Sequence, residues 1–225
     1  AEIPNRLIMA PLKTGLGSPS GEANEKHVAF YKPRAQGGTG ALILEPLYID
    51  LCGREHPKQI GITADSYIPG LKAVTDVIHE NGSKAIAHLN HGGRAANPKA
   101  SGSPPEAPSA VLCPAKGNTP EEMSTERIKV IVEQFGEAAR RAREADFDLI
   151  ELQCGLGYLI AQFLSPVTNL REDEYGLKND NRYRFLDEVL TSIRKKAGED
   201  FPIIARISAT EIVEEGMGLH DAFEL

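Results

Sequence analysis

Short runs of Val, Ile, Leu and Ala recur along this chain, separated by longer stretches in which apolar and charged positions alternate at helical spacing. Five runs, at 6–10, 40–45, 84–89, 148–152 and 202–207, read as strands. Near-continuous apolar runs mark strands covered on both faces, so the pattern predicts repeated βα units forming a parallel sheet with helices outside it. The clearest helix starts near Met123 or Ser124 and carries Ile128, Ile131, Val132, Phe135, Ala138, Ala139 and Ala142 on one stripe. Ahead of it, Thr119-Pro120-Glu121-Glu122 has the capping-box pattern of a short helical turn. The stretch 97–118, rich in Pro, Ser, Ala and Gly, predicts an irregular surface excursion that could serve as a lid.

Periodicity does not choose between an open doubly wound sheet and a barrel. Polar positions do. Lys13, Pro46, His88, His91, Arg94, Gln153, Tyr158 and Arg206 fall at or just after strand ends, and no G-x-G-x-x-G follows the first strand. In a barrel those positions converge on the mouth where active sites are built. The expectation is an α/β fold of the TIM (β/α)₈ class, incomplete, with about five of eight βα units in 1–225. The chain opens at Ala1 and ends on what reads as the beginning of a helix. The remaining strands are therefore expected in a longer polypeptide.

Composition narrows the classes. With 41% hydrophobic and 25% charged residues the 225-residue chain is ordinary for a globular enzyme. A net charge of −7, without a basic stripe, argues against nucleic acid as a partner. No apolar run approaches the roughly 20 residues of a membrane span, and no signal-peptide pattern opens the chain, so a cytoplasmic location without membrane partners is expected. Three scattered cysteines form neither a disulfide framework nor a metal knuckle. His88 and His91 lack an acidic or cysteine partner nearby in sequence, so no metal site is expected.

The segment from Gly157 and Tyr158 through Gln162, Phe163, Ser165 and Pro166, followed by Asn169, Arg171, Asp173, Tyr175, Gly176, Asn181, Arg182, Arg184 and Phe185, resembles the Old Yellow Enzyme family of NADH:flavin oxidoreductases. Asn5 to Pro11, His91-Gly92-Gly93-Arg94 and Ala205-Arg206-Ile207-Ser208 fall in that family's order. Within it, the chain is most similar to the 2,4-dienoyl-CoA reductase and trimethylamine dehydrogenase branch. The resemblance implies FMN across the barrel mouth, contacted by Ala10, Pro11, Leu12, Lys13, Pro46, His88 and Arg206. It implies NAD(P)H as electron donor, a small unsaturated substrate, and Tyr158 as the acid that protonates one alkene carbon. A phenol pKa of roughly 10 keeps such a donor protonated at neutral pH. Arg206 would stabilise negative charge on the reduced flavin, the alternative being a salt bridge in the barrel wall. Lys13, as a lone cation about 8 Å from the ring, would favour the reduced flavin by about 2 kcal/mol.

The sequence also departs from the family. Simple enones are held by a His/His or His/Asn pair, and the matching substrate positions here are Gln153 and Leu156. Leu156 has no donor to offer. Carbonyl activation then comes from elsewhere, or the substrate differs, a bulky acyl-CoA being one candidate. In that branch a 4Fe-4S cluster and an NAD(P)H domain would follow downstream, and a homo-oligomer is compatible. Two alternatives stand beside ene reduction: oxidative amine demethylation, for which a chain with no Trp offers few cage aromatics, and a non-catalytic barrel fragment.

Overall fold

The computed structural model describes residues 2–178 and 181–225. Its strands and helices run β1 (Ile8–Met9), α1 (Glu25–Gln36), β2 (Ala41–Ile43), β3 (Leu47–Tyr48), α2 (Ile68–Glu80), β4 (Lys84–Asn90), α3 (Pro98–Ser101), β5 (Glu106–Ala107), β6 (Glu121–Glu122), α4 (Thr125–Glu144), β7 (Leu149–Cys154), α5 (Leu159–Leu164), α6 (Arg184–Ala197), β8 (Ile203–Ile207) and α7 (Leu219–Phe223). The main sheet has the order β1-β2-β4-β7-β8, every pair parallel. Strand order follows chain order without a reversal. That is how a barrel winds; a doubly wound sheet would switch direction partway. All five expected strands are present, and β3 resumes beyond Pro46 to pair with the far end of β4, Leu47 opposite Leu89.

Alternation along the strands separates two apolar cores. One face, including Leu42, Ala85, Ala87, Ile150 and Leu152, packs against the helices. The other gathers Ala41, Ile43, Ile86 and Leu149 into a smaller interior layer. Two residues further along the same face, Ile43 leads to Glu45, Ile86 to His88 and Leu149 to Glu151, all buried. The interior layer is thus the floor on which the polar strand ends stand.

Helix α4 begins where its stripe requires: Ser124 caps it, its hydroxyl accepting from the Arg127 amide at 3.2 Å, and every stripe residue named above is buried. It packs on α6, where a side chain at Gly136 would collide with Ser192. Burying a ring such as Phe135 contributes about 2–3 kcal/mol. Phe185 stacks on Phe163 at 4.1 Å between centroids, joining α6 to α5.

Two local expectations require correction. Glu121 and Glu122 form no capped turn: they are strand β6, parallel to Glu106 and Ala107 of β5, with the Glu121 amide donating to Pro105 O and the Met123 amide to Ala107 O. The ladder satisfies backbone groups that one helical turn would leave open. The excursion at 97–118 is likewise partly regular, holding α3, capped by Asn97, and β5. It is also fastened down. Arg171, buried, donates to Pro108 O at 2.9 Å and Met123 O at 2.6 Å, and Arg127 pairs with both Asp50 and Glu106. These bonds make it a fixed cover rather than a free lid.

The outer strands differ from the inner ones. Strand β7 is buried throughout, whereas Ile8 is 45% exposed and Ile204 and Ile207 are 40% and 44% exposed. Among the described residues no helix is long and apolar enough to cross a membrane.

Candidate active site

Strand β7 ends in a tight turn in which Leu156 and Gly157 both have positive φ, 57° and 71°. Glycine adopts this conformation freely; a leucine there costs about 1–2 kcal/mol. The turn is held by bonds from several directions. Leu156 N donates to Ser208 Oγ at 2.9 Å, Gln162 Nε2 to Gly157 O at 2.7 Å, and Leu159 N to His91 O at 3.0 Å. Its product is the placement of Tyr158, extended at the N-terminus of α5.

The Tyr158 hydroxyl meets Lys13, whose Nζ lies 3.0 Å away and 5.4 Å from the ring centroid. Lys13 also forms an ion pair with Glu55. Glu55 is buried in the loop after β3 and accepts from Asn90 Nδ2 at 2.9 Å. Burial raises the Tyr158 pKa above the usual phenol value, and the Glu55 charge adds to this, outweighing Lys13. Burial alone would lower Lys13, yet the Glu55 charge and hydrogen bond hold it above the ordinary lysine value.

Two residues before Asn90 on the same face of β4, His88 builds the second cluster. Its Nδ1 is 2.6 Å from Glu151 Oε1, and Arg206 grips the same carboxylate through Nε at 2.8 Å and Nη2 at 3.2 Å. The register explains the meeting: His88 faces Glu151 across the ladder, and Gln153 faces Arg206. Desolvation pushes Glu151 up, but the hydrogen bonds from His88 and Arg206 prevail and keep its carboxyl below the usual range. With Nδ1–H assigned to Glu151, His88 Nε2 is free to accept from Gln153 Nε2 at 3.3 Å.

The strand ends therefore assemble most of the anticipated residues. Tyr158 and Lys13 touch, and His88, Gln153 and Arg206 form one network. Pro46 lies between β2 and β3, its carbonyl accepting from Gln59 Nε2 at 2.9 Å. Ala10, Pro11 and Leu12 form the open stretch after β1. Gln153 is buried, with Oε1 taken by the Gly155 amide, while Leu156 is 71% exposed at the rim and touches neither cluster by hydrogen bonding of its side chain. Lys13 is not a lone cation: beside Glu55, its field at a neighbouring ring is that of an ion pair, well below the 2 kcal/mol of an isolated charge. Likewise Arg206 does make a salt bridge in the barrel wall, to Glu151. It still presents Nη1, which has no partner among the described residues.

An isoalloxazine edge, rich in acceptors, suits this donor set. Among the described residues, the Leu12 and Lys13 amides and Arg206 Nη1 are unpaired, and Gln153 retains a second N–H. His88 and His91 do not converge. His91 is fully buried, takes the Gly93 amide on Nδ1 at 3.0 Å, and is held neutral by desolvation down to about 4. Cys154, also buried, has its thiol pushed up to about 12. Three site residues escaped the sequence reading: Glu55, Asn90 and Glu151. Glu151 had a signal, an acid within an apolar strand that must find a partner when buried; Glu55, in an aperiodic loop, had none.

Comparison with known proteins agrees with this fold. The chain is 41% identical over 220 residues to an NADPH dehydrogenase of Listeria monocytogenes serotype 4b, covering 96% of this chain and 63% of that protein. It is 38% identical to an NADH oxidase of Thermoanaerobacter brockii, covering 99% of this chain and 35% of the other. Among solved structures, a 2-naphthoyl-CoA reductase complexed with 2-naphthoyl-CoA matches with a TM-score of 0.94 at 30% identity, over 99% of this chain and 36% of that one. An Old Yellow Enzyme homologue from Zymomonas mobilis matches with a TM-score of 0.86 at 29% identity, over 97% and 63%. The chain thus spans between about a third and two thirds of these relatives, and its parallel sheet corresponds to part of the barrel of the two solved structures. The profile of one family matches residues 1–225 throughout, and the chain belongs to it: the NADH:flavin oxidoreductase / NADH oxidase family.

Proposed function

We propose that this chain provides the ring-binding and proton-donating part of an FMN-dependent enzyme that reduces an activated C=C bond with NAD(P)H as electron donor. The observation that carries the reading is the Tyr158 phenol, fixed by a strained turn and held by Lys13 beside the strand-end donors. Ala10 to Lys13 and Pro46 would border the ring, His88 its pyrimidine edge, and Arg206 would offer Nη1 to the atoms that become negative on reduction. Bound FMN supplies hydride to one alkene carbon. Tyr158 gives its proton to the other, and its raised pKa keeps that proton in place until the carbon becomes basic. Arg206 and Glu151 stay ionised throughout, since guanidinium does not deprotonate and the carboxylate is doubly bonded.

The substrate side favours an unsaturated acyl-CoA thioester over a simple enone. Leu156 gives an apolar rim where an enone-binding site would have a donor, and Gln153 has one N–H to spare. The high similarity to 2-naphthoyl-CoA reductase supports that choice. In this reading 1–225 is the first part of the FMN barrel domain. Phosphate anchoring, and any iron-sulfur or pyridine-nucleotide module, fall to segments outside it.

The test is Tyr158→Phe in the full-length enzyme. FMN should remain bound and reducible by NAD(P)H, while alkene reduction slows by about 10²-fold or more. Equal rates of substrate-driven flavin reoxidation in mutant and wild type would remove Tyr158 from the reaction.

A further inference from the structure

Lys13 follows the first strand, Glu55 lies in the loop beyond β3, and Tyr158 begins α5; the fold brings these three distant residues together. An ammonium has donors and no lone pair, so Lys13 can only donate to the phenol oxygen. The phenol hydrogen cannot point back at Lys13. Glu55 is the neighbouring acceptor: its Oε2 holds Lys13 and its Oε1 holds Asn90, and the carboxylate keeps further lone pairs on which the phenol hydrogen can rest. The hydroxyl hydrogen rotates about the C–O bond, so it can leave Glu55 and turn outward while Lys13 keeps the phenol oxygen in place. The Lys13 side chain is 36% exposed while that of Glu55 is 2% exposed, so the lysine joins a fixed buried anchor to water.

We propose that Lys13, anchored by Glu55, is the positioning residue of the proton donor and the group that returns the proton after each turnover. This rests on Tyr158 being the donor. As the substrate C–H bond forms, the Tyr158 O–H bond breaks and a phenolate remains. Lys13 Nζ–H then transfers its proton to that oxygen, and the neutral amine regains a proton from water at its exposed side. These are proton transfers only, in which nothing is oxidised or reduced. The charged groups that act on Lys13 are Glu55, its ion-pair partner, and the Tyr158 phenol; His56, which senses Lys13 together with Glu45, Glu55 and Arg54, is held below its usual value by burial.

The experiment uses the full-length FMN-loaded enzyme labelled with ¹³Cζ-tyrosine, the Tyr158 resonance being assigned by its loss in Tyr158→Phe. Lys13→Met leaves the Glu55 charge unopposed, so the Tyr158 titration should move up by about one pH unit or more. Glu55→Gln should move it down. Lys13→Arg should restore the titration towards wild type, because a guanidinium also donates to the phenol, yet multiple turnover should stay about tenfold slow because guanidinium does not give up a proton. An unmoved resonance in both Lys13→Met and Glu55→Gln, or wild-type turnover in Lys13→Arg, overturns the role of Lys13. That result is distinguishable from failure of the function itself, which would appear as wild-type flavin reoxidation in Tyr158→Phe and would remove the proton return with it.

Discussion

Arg206 reaches the strand-end face already committed to a carboxylate, and this changes what its removal should do. In wild type the pair Arg206 and Glu151 is close to neutral, with Nη1 projecting beyond it. Arg206→Met deletes the cation and leaves the buried anion, so the charge at the strand-end face becomes negative rather than merely less positive. The FMN reduction potential should fall and FMN should bind more weakly. Adding Glu151→Gln to that variant should recover part of the potential, a coupling that spectroelectrochemical titration of the two enzymes would reveal. An unchanged potential in Arg206→Met would assign the residue to the wall alone. His91 gives a separate prediction for stability. Its folded pKa of about 4 lies below the ordinary value of 6.5, so between these values the unfolded chain binds a proton that the folded chain refuses. Stability is therefore complete above pH 6.5 and falls by about 3 kcal/mol as pH drops towards 4. In His91→Asn, whose amide oxygen can still accept from Gly93, the urea midpoint should depend more weakly on pH across that window; an equal slope would show that other groups carry the loss. Residues with chemistry at strand ends were legible because a barrel orders them by position. The partners that tune them were not, since Glu55 and Asn90 are joined only by the fold.

At the level of elements, strong periodicity predicted α4 and the five main strands correctly, while local signals misled where a longer-range ladder was available. Thr119-Pro120-Glu121-Glu122 has a helix-start composition, but the backbone of Glu121 and Met123 finds carbonyls of Pro105 and Ala107 instead. The true cap is Ser124, at the edge of the apolar stripe. What secures this ribbon is Arg171, itself part of the family-like segment, whose guanidinium fills two buried carbonyls and pairs with Asp173 at 2.9 Å. Arg171→Met leaves those carbonyls without a donor. A loss of about 3 kcal/mol is expected from two unsatisfied buried acceptors. Proteolysis and amide exchange should rise within 103–123 before they rise in α4, and uniform exchange along the chain would contradict the fastening of this cover.

For the whole molecule, the decisive feature is that the sheet has two open edges. Among the described residues, strands β2, β4 and β7 each have neighbours on both sides, whereas β1 and β8 are paired on one side only. At those outer strands Ile8, Ile204 and Ile207 are nearly half exposed, although apolar residues of the inner strands are buried. An unpaired parallel edge displays a row of backbone donors and acceptors, and an apolar residue beside it adds a hydrophobic reason to associate. In a closed barrel both edges are consumed by further strands. A polypeptide of residues 1–225 alone should therefore self-associate, its sedimentation mass rising with concentration, while far-ultraviolet dichroism still reports helix and strand. On the proposed reading FMN should bind it weakly, because the ring contacts proposed for Arg206 and the stretch after β1 would act without the phosphate site that barrels build from the loops after their last strands. Longer polypeptides that pair both edges should sediment as defined species and bind FMN stoichiometrically. A monomeric 1–225 that binds FMN at submicromolar concentration would mean that five strands suffice, and that the exposed edge isoleucines are tolerated rather than covered.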